Sequence, residues 1–163
     1  MNKKLMLEKY EALELRRMSS DHLEQIMAIE RLAYPFPWTK SMFATSLSSG
    51  DLCLILVLNE EIVGYAIVNY ILDEAHLLNI CISPQFEKRG LGRVLLRYLI
   101  SEAKEKACMM FFLEVRQSNV QAISLYFSEG FNEVGVRPNY YPAQRGREDA
   151  VLMTLDLSVD LYA

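Results

Sequence analysis

The chain is short of the residues that metal and redox chemistry draw on. Its two histidines, His22 and His76, and three cysteines, Cys53, Cys81 and Cys108, stand far apart. None of them has metal-ligand spacing, so no metal site and no Cys/His nucleophile pair is expected. An odd number of cysteines, each in or beside an apolar run, predicts buried free thiols in a reducing compartment. Positive charge is not in surplus either: 17 Lys and Arg face 21 Asp and Glu, a net charge of −4. Direct nucleic-acid binding rests on an excess of basic residues over phosphate, and is therefore not expected. Long apolar runs are missing. The longest, LCLILVL at Leu52 to Leu58, is far too short to cross a bilayer, and the opening MNKKLMLEKYE has no apolar signal core. These absences predict a cytoplasmic protein without membrane contact. Repeats and low-complexity tracts are also lacking, and 163 residues fit one domain with a core of its own.

What is present alternates between strand and helix patterns. Ala12 to Met18 reads as a short strand. SSDHLEQIMAIERLA follows as a helix with Ser19 or Ser20 as N-cap and Leu23, Ile26, Met27 and Ile29 or Glu30 at helical spacing. The prolines of Tyr34 to Trp38 stop it, and TKSMFATSL starts a second helix. DLCLILVL, a turn at Asn59 to Glu61, and IVGYAIVNYIL predict a β-hairpin. HLLNICIS is the next strand. From Gly92 to about Lys106 a helix sets Leu95, Tyr98, Leu99 and Ala103 on one face and Arg93, Arg97, Ser101 and Lys104 on the other. The strand MMFFLEV precedes SNVQAISLYFSEG, where Ser118 and Gln121 have capping-box spacing and Gly130 suits a left-handed C-cap. FNEVGVR and AVLMTLDL close the pattern as two strands joined by RPNYYPAQRGRED. The order β-α-α-β-β-β-α-β-α-β-β predicts an α/β fold, a mixed sheet with helices on its faces.

Between the third strand of that hairpin series and its helix lies ISPQFEKRGLGRVLL, Ile82 to Leu96. A Walker loop needs GxxxxGK[ST], which is absent. Gly90 and Gly92 fit the first two positions of a dinucleotide fingerprint, and Glu114 stands about where a ribose-binding acid belongs, but Leu95 occupies the third glycine position. What remains is an anion site at a helix N-terminus, where unpaired N–H donors meet glycine that admits close approach. Lys88, Arg89 and Arg93 add positive charge. The alternative is a tight turn and nothing more.

In LEVRQSNVQAISLYFSEGF, Glu114 ends a strand, while Asn119 and Tyr126 are seven residues apart and share a helix face with the small Ala122 between them. If the ligand is a thioester, the carboxylate can take a proton from an attacking amine and the phenol can give one to the departing thiolate. Each residue also has a plainer reading: a solvated strand-end charge, a helix cap and a core aromatic.

The strand, loop and helix around RGLG, the EVR…SN…A…LY…GF pattern and the preceding hairpin together resemble the GCN5-related N-acetyltransferases (GNAT), from about Leu13 to Leu157. FPW after the first helix, LDEA, NICISP, LEVRQSN and NYYP…GREDA are similar to members acting on a ribosomal protein. The resemblance implies one N-acetyltransferase domain over 1–163, with acetyl-CoA as donor and the N-terminal alanine of a small-subunit ribosomal protein as acceptor. By motif position it implies that Ile80, Cys81 and Ile82 pair with the pantetheine through their backbone. Lys88, Arg89, Gly90, Leu91, Gly92 and Arg93 would form the pyrophosphate loop, and Asn119 would touch the pantetheine arm. Glu114 matches the family's general base and Tyr126 its general acid, for direct attack without an acetyl-enzyme. The acceptor in similar enzymes lies between the loop after the first helix and the last hairpin. Here that means Phe36, Trp38, Tyr140 and Tyr141 as walls, with Glu30, Asp73, Glu74 and Glu148 as an acidic rim. Glu87 departs from the family's usual Gln or Arg at the start of the loop. A small-amine acetyltransferase is the near alternative, and a non-catalytic acyl-CoA-binding or ribosome-assembly module the distant one.

Overall fold

The computed structural model describes residues 3–4 and 12–159. They divide between two compact units, Met1–Asn69 with Asn79–Leu95 and Tyr70–Leu78 with Leu96–Ala163.

In the first unit, β1 (Lys3–Lys4), β2 (Leu13–Arg17), β3 (Leu52–Leu58) and β4 (Glu61–Ile71) pair antiparallel in that order. Every residue of β3 is buried, as an unbroken apolar run demands, whereas β2 alternates. Asn59 and Glu60 both take left-handed φ, +49° and +66°, which gives the β3–β4 turn the twist that a tight hairpin needs. The register slips between Leu56 and Val57, which face Gly64 and Ile62 and leave Val63 of β4 as the extra residue of a bulge.

Helix α1 spans Leu23–Ala33. It begins later than its Ser19 or Ser20 cap predicts because Ser20–His22 forms a 3-10 turn, with the Ser19 N–H donating to His22 Nδ1 at 3.0 Å. Helix α2, Lys40–Ser49, is capped by the Thr39 hydroxyl, which accepts from Met42 N–H at 3.2 Å. The core joins Met18, Ile26, Met27 and Phe43 to Ile55, Tyr65, Ile67 and Cys81. Phe43 alone, fully buried, contributes about 1.5–3 kcal/mol through the surface it removes from water.

The strand β5 spans Glu74–Ile82, and its first part, in the second unit, pairs parallel with β6 (Met110–Arg116) from Glu74↔Met110 to Leu77↔Leu113. Parallel neighbours need a crossover, supplied by α3 (Leu91–Glu105), whose Leu95, Leu99 and Ala103 are buried as expected. β6 pairs antiparallel with β8 (Arg147–Asp156), and β8 with β7 (Asn132–Pro142). The ring of Phe131 meets Phe111 edge-on and Tyr126 at a tilt, each with centroids 5.8 Å apart. Helix α4 covers Val120–Ser128, and Gly130 follows it at φ +99° as the left-handed terminator. Two expectations are corrected. Asn119, not Ser118, caps α4, its Oδ1 accepting from Ala122 N–H at 3.2 Å. RPNYYPAQRGRED is mostly strand rather than loop, so Tyr140 and Tyr141 lie on β7. The element order is otherwise the expected one, with β1 added before it.

Candidate active site

After β5 the chain is tied back to β4, Ser83 N–H donating to Val63 O at 2.8 Å. A 3-10 turn, Pro84–Phe86, leads to two left-handed residues, Lys88 at φ +60° and Gly90 at φ +82°. Gly90 adopts that geometry at no steric cost, and a Cβ there would meet nothing within 4 Å. Lys88 does so at a cost of about 1 kcal/mol. Gly92 is the second residue of α3, so the turn itself needs one glycine and not two. The helix ladder begins with Val94 N–H to Gly90 O at 3.1 Å, which leaves the amides ahead of Val94 at the helix mouth, where a helix has donors it cannot satisfy itself. The Arg89 guanidinium lies 5.0 Å over the Phe86 ring. Glu87 is exposed.

Gly64 permits a close approach behind this loop. A Cβ on it would stand 2.8 Å from the Cys81 carbonyl oxygen and 2.7 Å from Ile82 Cδ1. Burial pushes the Cys81 thiol up to about 11, with the Glu30 and Glu87 charges adding to it against the hydroxyls of Tyr65 and Tyr34. Cys81 is therefore a poor nucleophile at neutral pH.

Glu30, expected on an acidic rim, is instead 1% exposed. Its Oε1 accepts from Trp38 N–H at 2.9 Å. Its Oε2 accepts from the Tyr65 hydroxyl and from Asn79 Nδ2 at 3.4 Å. The Tyr34 hydroxyl donates to Ile80 O at 2.9 Å, so one of the carbonyls expected to meet pantetheine already accepts a bond from the chain. Of the two residues expected to wall the acceptor here, Trp38 packs on Phe43 with centroids 5.1 Å apart and Phe36 is exposed.

The second unit gathers the remaining expected residues. From Glu114 onward the ladder of β6 is with β8 alone among the described pairs, Glu114 facing Leu152. Arg137 Nη2 lies 3.4 Å from Glu114 Oε1 and its guanidinium 5.4 Å from the Tyr140 ring. A hydrogen bond to Glu114, then burial, raises the Tyr140 phenol above its ordinary value. Burial, with the Glu114 and Tyr140 charges behind it, pushes Tyr141 up to about 12. Tyr126 is buried, and its phenol is raised by burial first and by Tyr141 second, so it stays protonated through the neutral range.

The β7–β8 hairpin is held by arginines. Arg116 Nη1 donates to Pro142 O at 2.7 Å and to Glu148 Oε1 at 2.8 Å, with its guanidinium 4.5 Å over Tyr141. Arg147 donates to the carbonyls of Asn139 and Tyr140 at 2.8 and 2.7 Å. Asn139, left-handed at φ +52°, donates its N–H to Asp149 Oδ1 at 2.9 Å. Of the expected acidic rim, Glu148 is thus paired with Arg116 and Glu74 with His76 at 2.8 Å.

Sequence reading passed over Gly64, Tyr65, Asn79, Arg116 and Arg137. Gly64 and Tyr65 had a signal, a glycine and a phenol together inside an otherwise aliphatic strand. Arg116 and Arg137 had none, because their partners come from distant segments. Among the described residues no group of three or more His, Cys, Asp or Glu is set to hold a metal ion, and no helix is long and apolar enough to cross a membrane.

Comparison with known proteins gives one consistent answer. The family model described as acetyltransferase (GNAT) family matches residues 23–131. The ribosomal protein bS18-alanine N-acetyltransferase of Salmonella typhimurium is 42% identical over 142 residues, 87% of this chain and 96% of that one. The enzyme of the same name from Escherichia coli K12 is 44% identical over 131 residues, 80% of this chain and 88% of that one. A crystal structure of the Escherichia coli ribosomal-protein-S18-alanine N-acetyltransferase superposes with a TM-score of 0.84 at 40% identity, covering 89% of this chain and 94% of that one.

Proposed function

The chain belongs to the acetyltransferase (GNAT) family, and from that premise we propose that it transfers the acetyl group of acetyl-CoA to the N-terminal alanine of ribosomal protein bS18. The observation that carries this reading is the 42% identity along nearly the full length of both chains. The geometry adds support residue by residue.

For the donor, we assign the pyrophosphate to the mouth of α3. The left-handed Gly90, with open space where a Cβ would stand, lets a phosphate reach the main chain, and Lys88, Arg89 and Arg93 supply charge. The backbone of Ile80, Cys81 and Ile82 is assigned to the pantetheine, as is the Asn119 side chain. Since Asn119 Oδ1 caps α4, its amide nitrogen is the end we assign to the arm. Phe36, Trp38, Tyr140 and Tyr141 are assigned to the acceptor.

For the chemistry, the amine nitrogen attacks the thioester carbon, the C–N bond forms, and the C–S bond breaks. Glu114 takes the proton the amine sheds, directly or through water, and Tyr126 gives its proton to the leaving thiolate. An α-amino group has a reference pKa of about 8, against about 10.4 for lysine, so a chain terminus sheds its proton near neutral pH far more readily than a lysine does. Burial keeps this phenol protonated at neutral pH, the form an acid must start from, while weakening it as a donor, so the transfer has to run together with C–S cleavage.

The test is incubation with acetyl-CoA and synthetic peptides. N-terminal acetylation of an alanine-initiated bS18 peptide is expected; acetylation of internal lysines or of polyamines alone would overturn the reading. Glu114→Gln and Tyr126→Phe should each lower kcat by about 10²–10⁴-fold with acetyl-CoA affinity retained. Wild-type rates in both would remove the two roles.

A further inference from the structure

The assignments above give Glu30 no part, yet its position is unusual. A buried carboxylate is costly unless donors surround it, and an apolar residue would complete the inner face of α1 as well. Donors do surround it, from three segments distant in sequence: the Trp38 main chain after α1, the Tyr65 hydroxyl on β4 and the Asn79 amide on β5. The two oxygens divide the work, Oε1 holding the segment after α1 and Oε2 the two strands.

We propose that Glu30 is a positioning residue that fixes the 34–38 segment against β5 and thereby sets affinity for the acceptor peptide rather than the rate of the chemical step. This rests on the reading of Phe36 and Trp38 as acceptor walls. Two features favour it. The bond to Trp38 goes to a main-chain N–H, so it sets the path of the segment whatever side chains it carries. A second link runs in parallel, the Tyr34 hydroxyl to Ile80 O at 2.9 Å, so one end of the segment is tied to β5 directly and the other through Glu30, which also holds Asn79 on β5. That second link holds the cofactor strand independently, which is why donor affinity should be spared when Glu30 changes.

Of the three partners only the Trp38 N–H is restricted to donating; the Tyr65 hydroxyl and the Asn79 amide can turn to accept, so glutamine can keep its one oxygen on Trp38. Leucine, of similar size, removes the acceptor for Trp38 outright. The experiment is steady-state kinetics of the full chain on an alanine-initiated peptide, with acetyl-CoA affinity by calorimetry and melting temperature alongside. Glu30→Leu should raise the peptide KM about tenfold, the scale of one lost bond to a charged acceptor, with kcat and acetyl-CoA affinity within about twofold, and Glu30→Gln should restore KM most of the way to wild type. Glu30→Asp, one methylene too short to reach both sides, should raise KM similarly and serves if the first variant does not fold. Tyr65→Phe leaves the Trp38 bond in place, and should lower the melting temperature while KM stays within about twofold. Folded Glu30→Leu and Glu30→Asp variants with wild-type KM, losing activity only in proportion to the folded fraction, would reduce Glu30 to a structural residue and overturn the proposal. Phe36→Ala separates the two claims. A raised KM there with no change in those two Glu30 variants sinks the positioning role alone, and an unchanged KM sinks the acceptor reading and the proposal with it.

Discussion

Gly64→Ala is the substitution whose effect the structure sizes most directly. The added methyl would stand 2.8 Å from the Cys81 carbonyl oxygen, where ordinary contact begins at 3.4 Å, so about 0.6 Å of relief must be found. Ile82 Cδ1, at 2.7 Å, is the tip of a flexible side chain and can swing away. The carbonyl is main chain, held in β5 between the Tyr34 bond at Ile80 and the Val63 bond at Ser83. Overpacking of this kind costs about 1–3 kcal/mol, offset by about 0.4–1 kcal/mol because alanine restricts the unfolded chain. The net, about 1–2 kcal/mol, corresponds to a melting temperature lower by about 2–8 °C for a chain of this length. Since the strain falls on the backbone assigned to pantetheine, acetyl-CoA should also bind several-fold more weakly by calorimetry. Gly90→Ala is the contrast: it meets no atom, and costs only the left-handed geometry, about 1 kcal/mol. A Gly64→Ala protein that melts within about 1 °C of wild type and binds acetyl-CoA unchanged would refute the reasoning.

Replacing Glu87 by glutamine removes an exposed negative charge from the loop and should tighten acetyl-CoA about twofold, an effect that fades with added salt; unchanged or weaker binding by calorimetry would count against a phosphate there. Burial works to raise the Glu148 carboxyl, but hydrogen bonds from Arg116 and Ser118 outweigh it and hold it below the ordinary range. A depressed carboxyl gives stability that is whole above the unfolded value near 4.3 and is lost as pH falls through the folded one, so Glu148→Gln should flatten the fall in melting temperature between about pH 5 and about pH 3. With Cys81 and Cys53 buried and each pushed up to about 11, thiol reagents at neutral pH should label neither until the protein unfolds; rapid labelling of the native protein would contradict that placement.

What could be read in advance follows the range of the interaction. α3, β3 and the Gly130 terminator are written in local period and local steric need, so the sequence displays them and the structure repeats them. The RGLG turn was legible in kind but not in detail: Gly90 makes it, Lys88 shares the left-handed geometry, and Gly92 merely begins a helix. Glu30 reads two ways, at inner-face spacing on its helix and on an acidic rim; the rim reading fails because the three donors that make burial tolerable come from residues eight to forty-nine positions away. The two strands of the hairpin are legible in FNEVGVR and AVLMTLDL, but its outer part, RPNYYPAQRGRED, reads as a joining loop because its prolines, glycine and arginines look like loop composition. Its strand character depends on pairing with β8 and on arginine bonds that no local window contains.

Under the proposed assignment of Tyr140 and Tyr141 to the acceptor, those arginine bonds bear on how acceptor choice can change over generations. The β7–β8 hairpin is fixed through the carbonyls of Asn139, Tyr140 and Pro142 and the amide of Asn139, atoms that nearly every amino acid provides. Tyr140 and Tyr141 are therefore replaceable without redrawing the hairpin. A lineage with Arg116, Arg147 and Asp149 intact can sample new aromatic or aliphatic pairs there one mutation at a time, so shape and preference are inherited separately.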